Sequence, residues 1–561
     1  MKRIYFSIFA AFFFCSLALA QNSFLAPPKG WHLLDHDSAG YFGISLHKAY
    51  DFIKTKKLQP RKVVVAVIDS GIDTAHEDLK PILWINKKEI PGNGIDDDNN
   101  GYIDDVHGWN FVGGRDGRNV KENSLEAVRL YHKFKSKYGA VPPDENAVKP
   151  EQKEEIELYK KVQQKLLGDI NPAEIFLYKR LLTTFKKGDS TIQRELDKEE
   201  YTCADLETYY PTNKDAKKSK KLLQELCVAN KGDEISNKEL VEHLQKDISK
   251  ADALDVAPRD FRKEIVQDDE NDINDRYYGN NDLMAATATH GTHCSGIIAA
   301  VRNNDIGIQG IADNVSIMMV RAVPDGDEHD KDVANSIRYA VDNGAQIISM
   351  SFGKGFSPQK HWVDDAVRYA ESKGVLLIHA AGNDSKNTDS TENYPCAKYL
   401  DGKIATNWIE VGASGDLANG GYTAYFSNYG KKTVDVFAPG VNIYSTLPGG
   451  NKYGNESGTS MACPVVAGTA ALIWGYYPSL SASQVKYVIE KSVQAPDMEV
   501  KIPGTDKTAP MSDLCKTGGI INAYRAVKLA STLHAEHKQP YKNKTQKEVL
   551  PKPKLKKAVK G

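Results

Sequence analysis

Runs of apolar, β-branched residues recur along the chain and are separated by segments with helical periodicity. The first run, KVVVAVIDSG at 62–71, ends in a turn sequence, as expected of a fully buried strand. Similar runs are VSIMMVRAV, AQIISMSFG, GVLLIHAAGN and IATNWIEVGAS, and amphipathic segments such as KDVANSIRYAVDNG and VDDAVRYAESKG lie between them. Because strands and helices alternate, we predict an α/β fold with a doubly wound, mostly parallel sheet. The chemistry of such sheets lies beyond the carboxyl ends of the strands, where Asp69 and Asn383 fall.

A charged region between residues 115 and 269 interrupts this alternation. Lys and Glu are frequent there, apolar residues recur at helical spacing, and Pro and Gly separate the segments. This pattern predicts an inserted helical subdomain, which divides the main domain into a first part at 61–114 and a second part at 270–535. The role of the insertion stays open between a solvated structural appendage and a function in regulation or substrate handling.

The two ends of the chain differ from the rest in composition. Residues 1–20 combine basic residues, an apolar stretch and a small-residue cleavage site, which predicts a secretory signal peptide removed before Gln21. That stretch, roughly 15 residues, is short for a membrane span, and no later segment reaches spanning length without charges. We therefore predict a secreted protein, periplasmic or extracellular, with no membrane span. Residues 21–60 form an N-terminal segment, and residues 536–561 are predicted to be a disordered Lys-rich tail.

Bulk composition narrows the class of protein. The 561 residues are 41% hydrophobic and 26% charged, which is typical of a globular protein. The formal net charge of −1 argues against a dedicated nucleic-acid binder, because such proteins are normally basic.

The cysteines suggest disulfides, because export would place them in an oxidising compartment. Cys203 and Cys227 lie in one charged helical region and are candidates to pair, whereas Cys396 and Cys515 are possible partners on spacing alone. The two remaining cysteines of the predicted mature chain lie in apolar helical runs and are expected to be buried free thiols: Cys294 and Cys463.

Four short motifs carry candidate chemistry. VAVIDSGID contains Asp69, HGTHCSG contains His290, AAGND contains Asn383 and GTSMACP contains Ser460. Taken alone, the last motif favours a helix N-cap at Ser460, since serine is common there. Taken together, in the order Asp, His, Ser, the motifs resemble the subtilase (subtilisin-like) serine peptidase family. The resemblance covers roughly 61–114 and 270–530, and it implies the subtilisin-like form of the predicted sheet.

The resemblance also implies a function, a secreted endopeptidase that cuts peptide bonds through an acyl-enzyme on Ser460. His290 would be the general base, with His293 in a structural position of the same motif. Asp69 would orient the imidazole, and Asn383 would stabilise the oxyanion together with the backbone N–H of Ser460. Each residue has a structural alternative, such as a turn cap or a buried helix position, but the joint order and context favour catalysis.

Two other functions are compatible with parts of the sequence. A non-catalytic binding protein on the same fold would be expected to have a degraded triad, and all four positions are intact here. A hydrolase of small esters or amides would not need peptide-binding edges. We therefore expect polypeptide substrates, and we expect the protein to be a monomer.

By resemblance, a substrate would pair as an extra strand between edge segments near 324–330 and 351–353. The first reads PDGDEHD, and its acidity suggests that basic side chains are preferred at some non-primed subsites. Asn393 falls where the family often has a pocket-floor glycine, which would make the main specificity pocket smaller or more polar. The expected substrate-binding residues are Ser351, Phe352, Gly353, Ala380, Ala381, Gly382 and Asn393.

The stretch DDDNNGYIDD at 96–105 has oxygen ligands at alternate positions followed by glycine, as at the start of an EF-hand loop. No Glu closes the loop at its twelfth position, so the motif is incomplete, and an acidic turn is the alternative. Similar loops bind calcium in many subtilases, which implies a structural Ca²⁺ here. The expected ligands, with Asp104 as a rival to the last, are Asp96, Asp98, Asn100, the carbonyl of Tyr102, and Asp105.

One departure from the family concerns the propeptide. Many subtilases have an inhibitory propeptide before the catalytic domain, but only about forty residues separate Gln21 from the first predicted strand. Either the segment GWHLLDHDSAGYFGISLHKAYDFIK packs on the domain as permanent structure, or the helical insertion supplies the folding and control function.

Overall fold

A computed structural model describes residues 27–144, 148–168, 172–229, 235–252, 256–285, 288–416 and 420–534. The predicted signal peptide, its cleavage site and the Lys-rich tail from 536 lie outside the described residues. Among the residues that are described, no helix combines the length and the apolar character needed to cross a membrane.

A parallel sheet of seven strands forms the centre of the fold, in the spatial order β2-β3-β1-β4-β5-β6-β7. Its strands are β1 (Val63–Asp69), β2 (Gly108–Asn110), β3 (Val315–Arg321), β4 (Ile347–Met350), β5 (Leu376–Ala380), β6 (Trp408–Ser414) and β7 (Val436–Pro439). Two hairpins are formed by β8 (Ile443–Leu447) with β9 (Lys452–Glu456), and by β10 (Val500–Lys501) with β11 (Thr508–Ala509). The predicted parallel α/β sheet is confirmed.

Helices surround the sheet and make up most of the insertion. They are α1 (His36–Ala39), α2 (Leu46–Thr55), α3 (Glu126–Tyr138), α4 (Pro150–Gly168), α5 (Pro172–Leu196), α6 (Cys203–Glu207), α7 (Lys214–Ala229), α8 (Asn237–Asp252), α9 (Thr289–Ala299), α10 (Asp330–Asp342), α11 (Lys360–Ser372), α12 (Thr459–Tyr476), α13 (Ala482–Lys491) and α14 (Ala523–Ala530). Short 3₁₀ turns lie at Trp31–Leu33, Lys80–Ile82 and Met511–Asp513, and one π-helical turn at Arg262–Val266.

The apolar run of β1 is buried on both faces of the sheet. Val65 and Val67 belong to the core cluster that contains residues of α9 and α12, whereas Ala66 and Ile68 belong to the cluster that contains residues of α10 and α11. Because successive strand residues point to opposite faces, a continuous apolar run is what a strand covered by helices on both sides requires.

The N-terminal segment packs against the main domain. Trp31 and Ile44 are buried in the same cluster as β1, together with residues of α2. The indole Nε1 of Trp31 donates to the carbonyl of Val441 at 3.0 Å. The contacts of this segment match the first of the two alternatives drawn from the short N-terminal region.

Residues 115–269, predicted to be a helical insertion, contain apolar clusters of their own. Helices α5, α7 and α8 share a cluster that includes Phe185, Leu223 and Leu240, and a second cluster joins α3 to α4. The predicted disulfide between Cys203 and Cys227 is present and connects α6 to α7. Because the helices of this region bury apolar side chains against one another, the region can be ordered although it lacks the alternation of strands and helices.

The second predicted disulfide is wrong. Cys396 and Cys515 are both free thiols. Cys515 is buried in a cluster with Val500 and Met511, whereas the thiol of Cys396 donates to the carbonyl of Lys398 at 3.5 Å. The spacing and the even number of the cysteines therefore did not predict which of them lie close together. The buried free thiols expected at 294 and 463 are confirmed.

Candidate active site

Asp69 and His290 meet at the carboxyl edge of the sheet. Asp69 is the last residue of β1, and His290 lies in the first turn of α9. The imidazole Nδ1 is 2.8 Å and 3.0 Å from the two carboxylate oxygens of Asp69. Gly291 permits this approach, since a β-carbon there would lie 2.2 Å from the carbonyl oxygen of Gly71. The two residues singled out by the sequence thus form a hydrogen-bonded pair.

The carboxylate of Asp69 controls the protonation of His290. Burial by itself lowers the pKa of an imidazole, but here the charge and hydrogen bond of Asp69 outweigh it and raise the pKa of His290 well above its usual range. The side chain of His290 is 35% exposed, whereas that of Asp69 is 2% exposed. The imidazole is therefore held by a buried acid while its other edge remains accessible.

Ser460 lies in the first turn of α12 and borders the same region. Every other residue of α12 is buried. The hydroxyl of Ser460 donates to the carbonyl of Ser351 at 3.1 Å, and the hydroxyl of Ser351 donates to the carbonyl of Ser460 at 2.9 Å. The helix N-cap is Gly458, so the sequence-based placement of Ser460 at the N-cap is wrong. As a residue of the first turn, Ser460 still has a backbone N–H without an intrahelical acceptor.

The buried thiol of Cys294 lies close to the first turns of α9 and α12. The sulfur of Cys294 is 3.9 Å from Nδ1 of His290 and 3.4 Å from the backbone oxygen of Ser460. Cys294 therefore packs between the helix that carries the histidine and the helix that carries the serine. His293, which lies about one helical turn after His290 in α9, is buried and bonds through Nε2 with the carbonyl of Gly454 at 3.2 Å.

Asn383 and the N–H of Ser460 face one small space. The side-chain oxygen of Asn383 accepts from the N–H and the hydroxyl of Thr459, both at 2.9 Å. A β-carbon placed on Gly458 would lie 3.3 Å from the amide nitrogen of Asn383 and 3.5 Å from the backbone nitrogen of Ser460. Glycine at 458 thus keeps open a space that two hydrogen-bond donors border.

The expected substrate-binding residues lie on two neighbouring segments beside this space. Ser351–Gly353 follow β4, and Ala380–Gly382 run from the end of β5. The amide of Asn393 donates to the carbonyl of Ala381 at 3.1 Å, and its oxygen would lie 3.2 Å from a β-carbon on Gly353. The Asn393 side chain therefore fills the gap between the two segments.

The acidic segment at 324–330 is largely turned into the protein. Its buried Asp330 lies 2.9 Å from the ammonium of Lys354, which also lies 2.9 Å from the carboxylate of Glu126 in the insertion. The carboxylate of Asp327 accepts from the backbone N–H of Glu126 at 2.8 Å. Asp327 and Asp330 thus have partners within the protein, whereas Asp325 is exposed, and the preference for basic side chains stays a prediction. Sequence reasoning missed Lys354 because it lies outside the segment.

The insertion contacts the rim of this site. The backbone of Asp325 accepts from Asn123 at 2.8 Å and donates to Lys121 at 2.7 Å. A second contact involves Glu456: burial raises its pKa, while the nearby imidazole of His290 and the ammonium of Lys238 in α8 lower it. Parts of the insertion therefore border the cleft at two points, which the sequence did not reveal.

Three carboxylates converge in the loop predicted to bind calcium. Glu89, Asp96 and Asp98 each offer one oxygen, and these oxygens lie within 4.8 Å of one another. Glu89 was missed because it precedes the loop, and its only signal is an acidic residue shortly before a run of aspartates. Burial raises the pKa of the Glu89 carboxyl, as do the neighbouring aspartates. Clustered carboxylate oxygens are the donor set that a hard cation such as Ca²⁺ prefers.

The other predicted ligands form hydrogen bonds within the same loop or to residues next to it. The carboxylate of Asp105 is buried and accepts from Asn100 at 3.0 Å and from the hydroxyl of Tyr339 at 2.6 Å. Burial raises the pKa of Asp105 to about 6 despite these bonds. The side-chain oxygen of Asn100 accepts from the N–H of Tyr102 at 2.8 Å. Asp104, the rival ligand, instead binds backbone N–H groups of Gly92 and Gly94, among others.

Comparisons with known proteins agree with this architecture. The model of the Subtilase family, Peptidase_S8, matches residues 60–518. Thermitase from Thermoactinomyces vulgaris is 39% identical over 269 residues, which are 47% of this chain and 85% of thermitase. A thermophilic serine proteinase from Bacillus sp. (strain AK1) is 40% identical over 239 residues, 42% of this chain and 52% of that protein. Subtilisin E from Bacillus subtilis (strain 168) is 41% identical over 209 residues, 36% of this chain and 50% of subtilisin E.

A solved structure of proteases from Pseudoalteromonas arctica PAMC 21717 is 20% identical, with a TM-score of 0.44, over 90% of this chain and 98% of that one. The matched region spans about half the length of the Bacillus relatives and most of thermitase. Because the family model covers most of the sequence, the chain belongs to the subtilase family, the subtilisin-like serine proteases.

Proposed function

We propose that the protein is a secreted serine endopeptidase that hydrolyses peptide bonds through an acyl-enzyme on Ser460. The observation that carries this proposal is the hydrogen bond between His290 and the buried Asp69, beside the only residue of α12 that is not buried. A serine hydroxyl is a weak nucleophile at neutral pH and needs a neighbouring base. His290 takes the proton of Ser460 during attack and returns it to the leaving amine.

Asn383 and the backbone N–H of Ser460 would stabilise the oxyanion that forms after attack. Donors that are already oriented act only where the negative charge develops, so they lower the barrier without tightening ground-state binding. The bonds from Thr459 to the oxygen of Asn383 support this role, since they direct its amide nitrogen toward the space beside Gly458.

Replacing Asn383 with alanine is expected to lower kcat by about 10²–10³ and to leave KM nearly unchanged. The reason is the loss of one oxyanion donor while the segments that hold the peptide stay in place. Steady-state kinetics on a peptide substrate measures both constants, and a melting curve checks that the variant is folded. A loss confined to KM would assign Asn383 to substrate binding instead.

Polypeptides are the proposed substrates, since an extended chain would fit between the two segments that border the site. The Asn393 side chain, lying between them, supports a main specificity pocket that is smaller or more polar than one with glycine. In this proposal residues 61–114 and 270–535 form the peptidase domain of a monomer, and 115–269 is an insertion that borders its cleft. Signal-peptide removal before Gln21 would deliver the enzyme to the periplasm or the medium.

We also propose a structural Ca²⁺ in the 96–105 loop, held by Glu89, Asp96 and Asp98. Asn100, Tyr102 and Asp105 are the remaining ligands predicted from the sequence, whereas Glu89 is added from the structure. The ion would neutralise three crowded carboxylates and so stabilise the folded domain.

Chelation of calcium is expected to lower the melting temperature by roughly 3–4 °C, relative to calcium about a hundredfold above its Kd. Scanning calorimetry with and without a chelator measures this shift. Asp96→Asn should reduce it, whereas Asp37→Asn, on a residue whose side chain is 80% exposed and outside the loop, should not. Equal melting temperatures with and without calcium would refute the site.

Labelling with a fluorophosphonate probe tests the central proposal. The probe reacts only with an activated serine, so the purified, signal-free protein should become labelled on a peptide that contains Ser460. An unlabelled, correctly folded protein would favour a non-catalytic role for the same fold.

A further inference from the structure

His379 is a buried histidine of β5 that the proposed reaction does not use. Both of its ring nitrogens face hydrogen-bond acceptors. Nδ1 lies 2.9 Å and 3.1 Å from the two carboxylate oxygens of Glu410 on β6, and Nε2 lies 2.7 Å from the backbone carbonyl oxygen of Phe352. A neutral imidazole has a single N–H, so only the doubly protonated ring satisfies both acceptors.

The surroundings of Glu410 favour its ionised form as the partner. The indole Nε1 of Trp408 donates to this carboxylate at 2.7 Å, and the Glu410 backbone N–H is held by Asp435 at 2.8 Å. Burial alone would lower the pKa of His379, but the Glu410 carboxylate outweighs burial and raises it. A buried, charged pair of this kind is costly unless its hydrogen bonds are satisfied, and here they are.

The carbonyl held by His379 belongs to the proposed substrate-binding segment. His379 is paired in the sheet with Met350, the last residue of β4, and the chain then leaves the sheet as Ser351–Gly353. The carbonyl of Ser351 in that segment also accepts the hydroxyl of Ser460. His379 therefore contacts the backbone of the segment at its middle residue, Phe352. This is one residue after Ser351, whose carbonyl accepts from Ser460.

We propose that His379 and Glu410 form a positioning pair that holds Ser351–Gly353 in register for an extended peptide substrate. This inference rests on the proposed function, in which that segment pairs with the substrate backbone. While His379 carries both protons, it donates to Phe352 and to Glu410 together. When the ring loses a proton, one bond is lost and the segment loosens. Peptide binding is therefore expected to weaken as the pH rises through the pKa of His379.

Other ionisable groups near the pair need their own control. Glu328, which precedes α10, also acts on His379, and burial raises its pKa to about 7. The Cys396 thiol lies near Glu410, and Lys486 lies 3.6 Å from Asp435 behind it. Because Glu328 titrates in the assay range, Glu328→Gln is included and should shift the rise of KM to lower pH by less than Glu410→Gln does, since Glu410 contributes more to the raised pKa of His379.

Two substitutions of His379 separate positioning from general stability. Gln at 379 keeps a donor for Phe352 at every pH, whereas Leu has similar bulk and no donor. KM and kcat for an extended peptide are measured between about pH 5 and about pH 9, in parallel with the rate of fluorophosphonate labelling. The wild type should show KM rising with pH, His379→Gln a flat profile, and His379→Leu a KM about tenfold higher throughout. Labelling rates should stay close to wild type, because the probe does not pair with the segment.

The results also distinguish this inference from the function on which it rests. A labelled His379→Leu variant with a wild-type KM would overturn the positioning role alone, whereas an unlabelled wild type would overturn the function. If His379→Leu does not fold, Glu410→Gln serves instead, since it removes the charge that raises the pKa of His379. The rise in KM should then move to lower pH, and an unchanged profile would refute the pair.

Discussion

Replacing Ser460 with alanine is expected to lower kcat on a peptide substrate by about 10⁶ and to abolish fluorophosphonate labelling. The hydroxyl of this residue is the proposed nucleophile, and the His290 pair has no other activated hydroxyl to deprotonate in the proposal. The loss is large because the base and its carboxylate act only through the serine, so their contribution disappears with it. Active-site labelling and progress curves on the purified variant measure the two effects.

Ser351→Ala provides the matched control for this experiment. Ser351 exchanges hydrogen bonds with Ser460 but is not the proposed nucleophile, and its removal leaves the Ser460 hydroxyl in place. This variant should still be labelled by the fluorophosphonate probe, and it should bind peptides more weakly than the wild type does. Labelling that survives in Ser460→Ala would show that a different residue attacks the substrate.

The sequence predicted those features that depend on local order along the chain. Alternating apolar strands and amphipathic helices indicated a parallel sheet, and β1 is buried on both faces as its continuous apolar run requires. The position of Asp69 at the end of that strand follows from the same pattern, and its partner His290 came from the order of the motifs. The pairing of Cys203 with Cys227 was accessible because both lie in one short helical region.

Features that depend on distance across the fold were not accessible in the same way. Cys396 and Cys515 satisfy the counting argument for a disulfide, but they lie in different surroundings and both are free. The ion pair between Asp330 and Lys354 could not be predicted from the acidic segment, because Lys354 lies outside it. In the sequence, His379 is a single polar residue in an apolar strand. Its partner Glu410 becomes evident only from the register between β5 and β6, which pairs the two residues.

Local backbone geometry accounts for the error at Ser460. Serine favours the N-cap because its oxygen accepts from a free N–H, which made that assignment reasonable from the motif. The structure instead gives the cap to Gly458, where a β-carbon would fill the space beside Asn383. The need for open space in front of two donors thus overrides the capping preference.

Replacing Asp69 with asparagine is expected to lower kcat by about 10⁴ with little change in fold. Asparagine has nearly the same shape, but its amide group donates to Nδ1 of His290 and so favours the tautomer with the proton on Nε2. That tautomer has no lone pair to accept the Ser460 proton. The pH profile should change as well, because Asp69 is the group that raises the pKa of His290. The base is active when deprotonated, so the rise of kcat/KM with pH should shift to lower pH in the variant.

Asp73→Asn tests whether this effect belongs to Asp69 alone. Asp73 is also buried, but its carboxylate accepts from the backbone N–H groups of Ala75 and Gly449 and does not contact His290 among the bonds described for it. Its substitution should reduce thermal stability and leave the pH profile of kcat/KM where it is in the wild type. Stopped or steady-state assays across the pH range on both variants distinguish the two aspartates. An unshifted profile in Asp69→Asn would mean that another group sets the pKa of the catalytic base, and the proposed roles of Asp69 and His290 would then fail together.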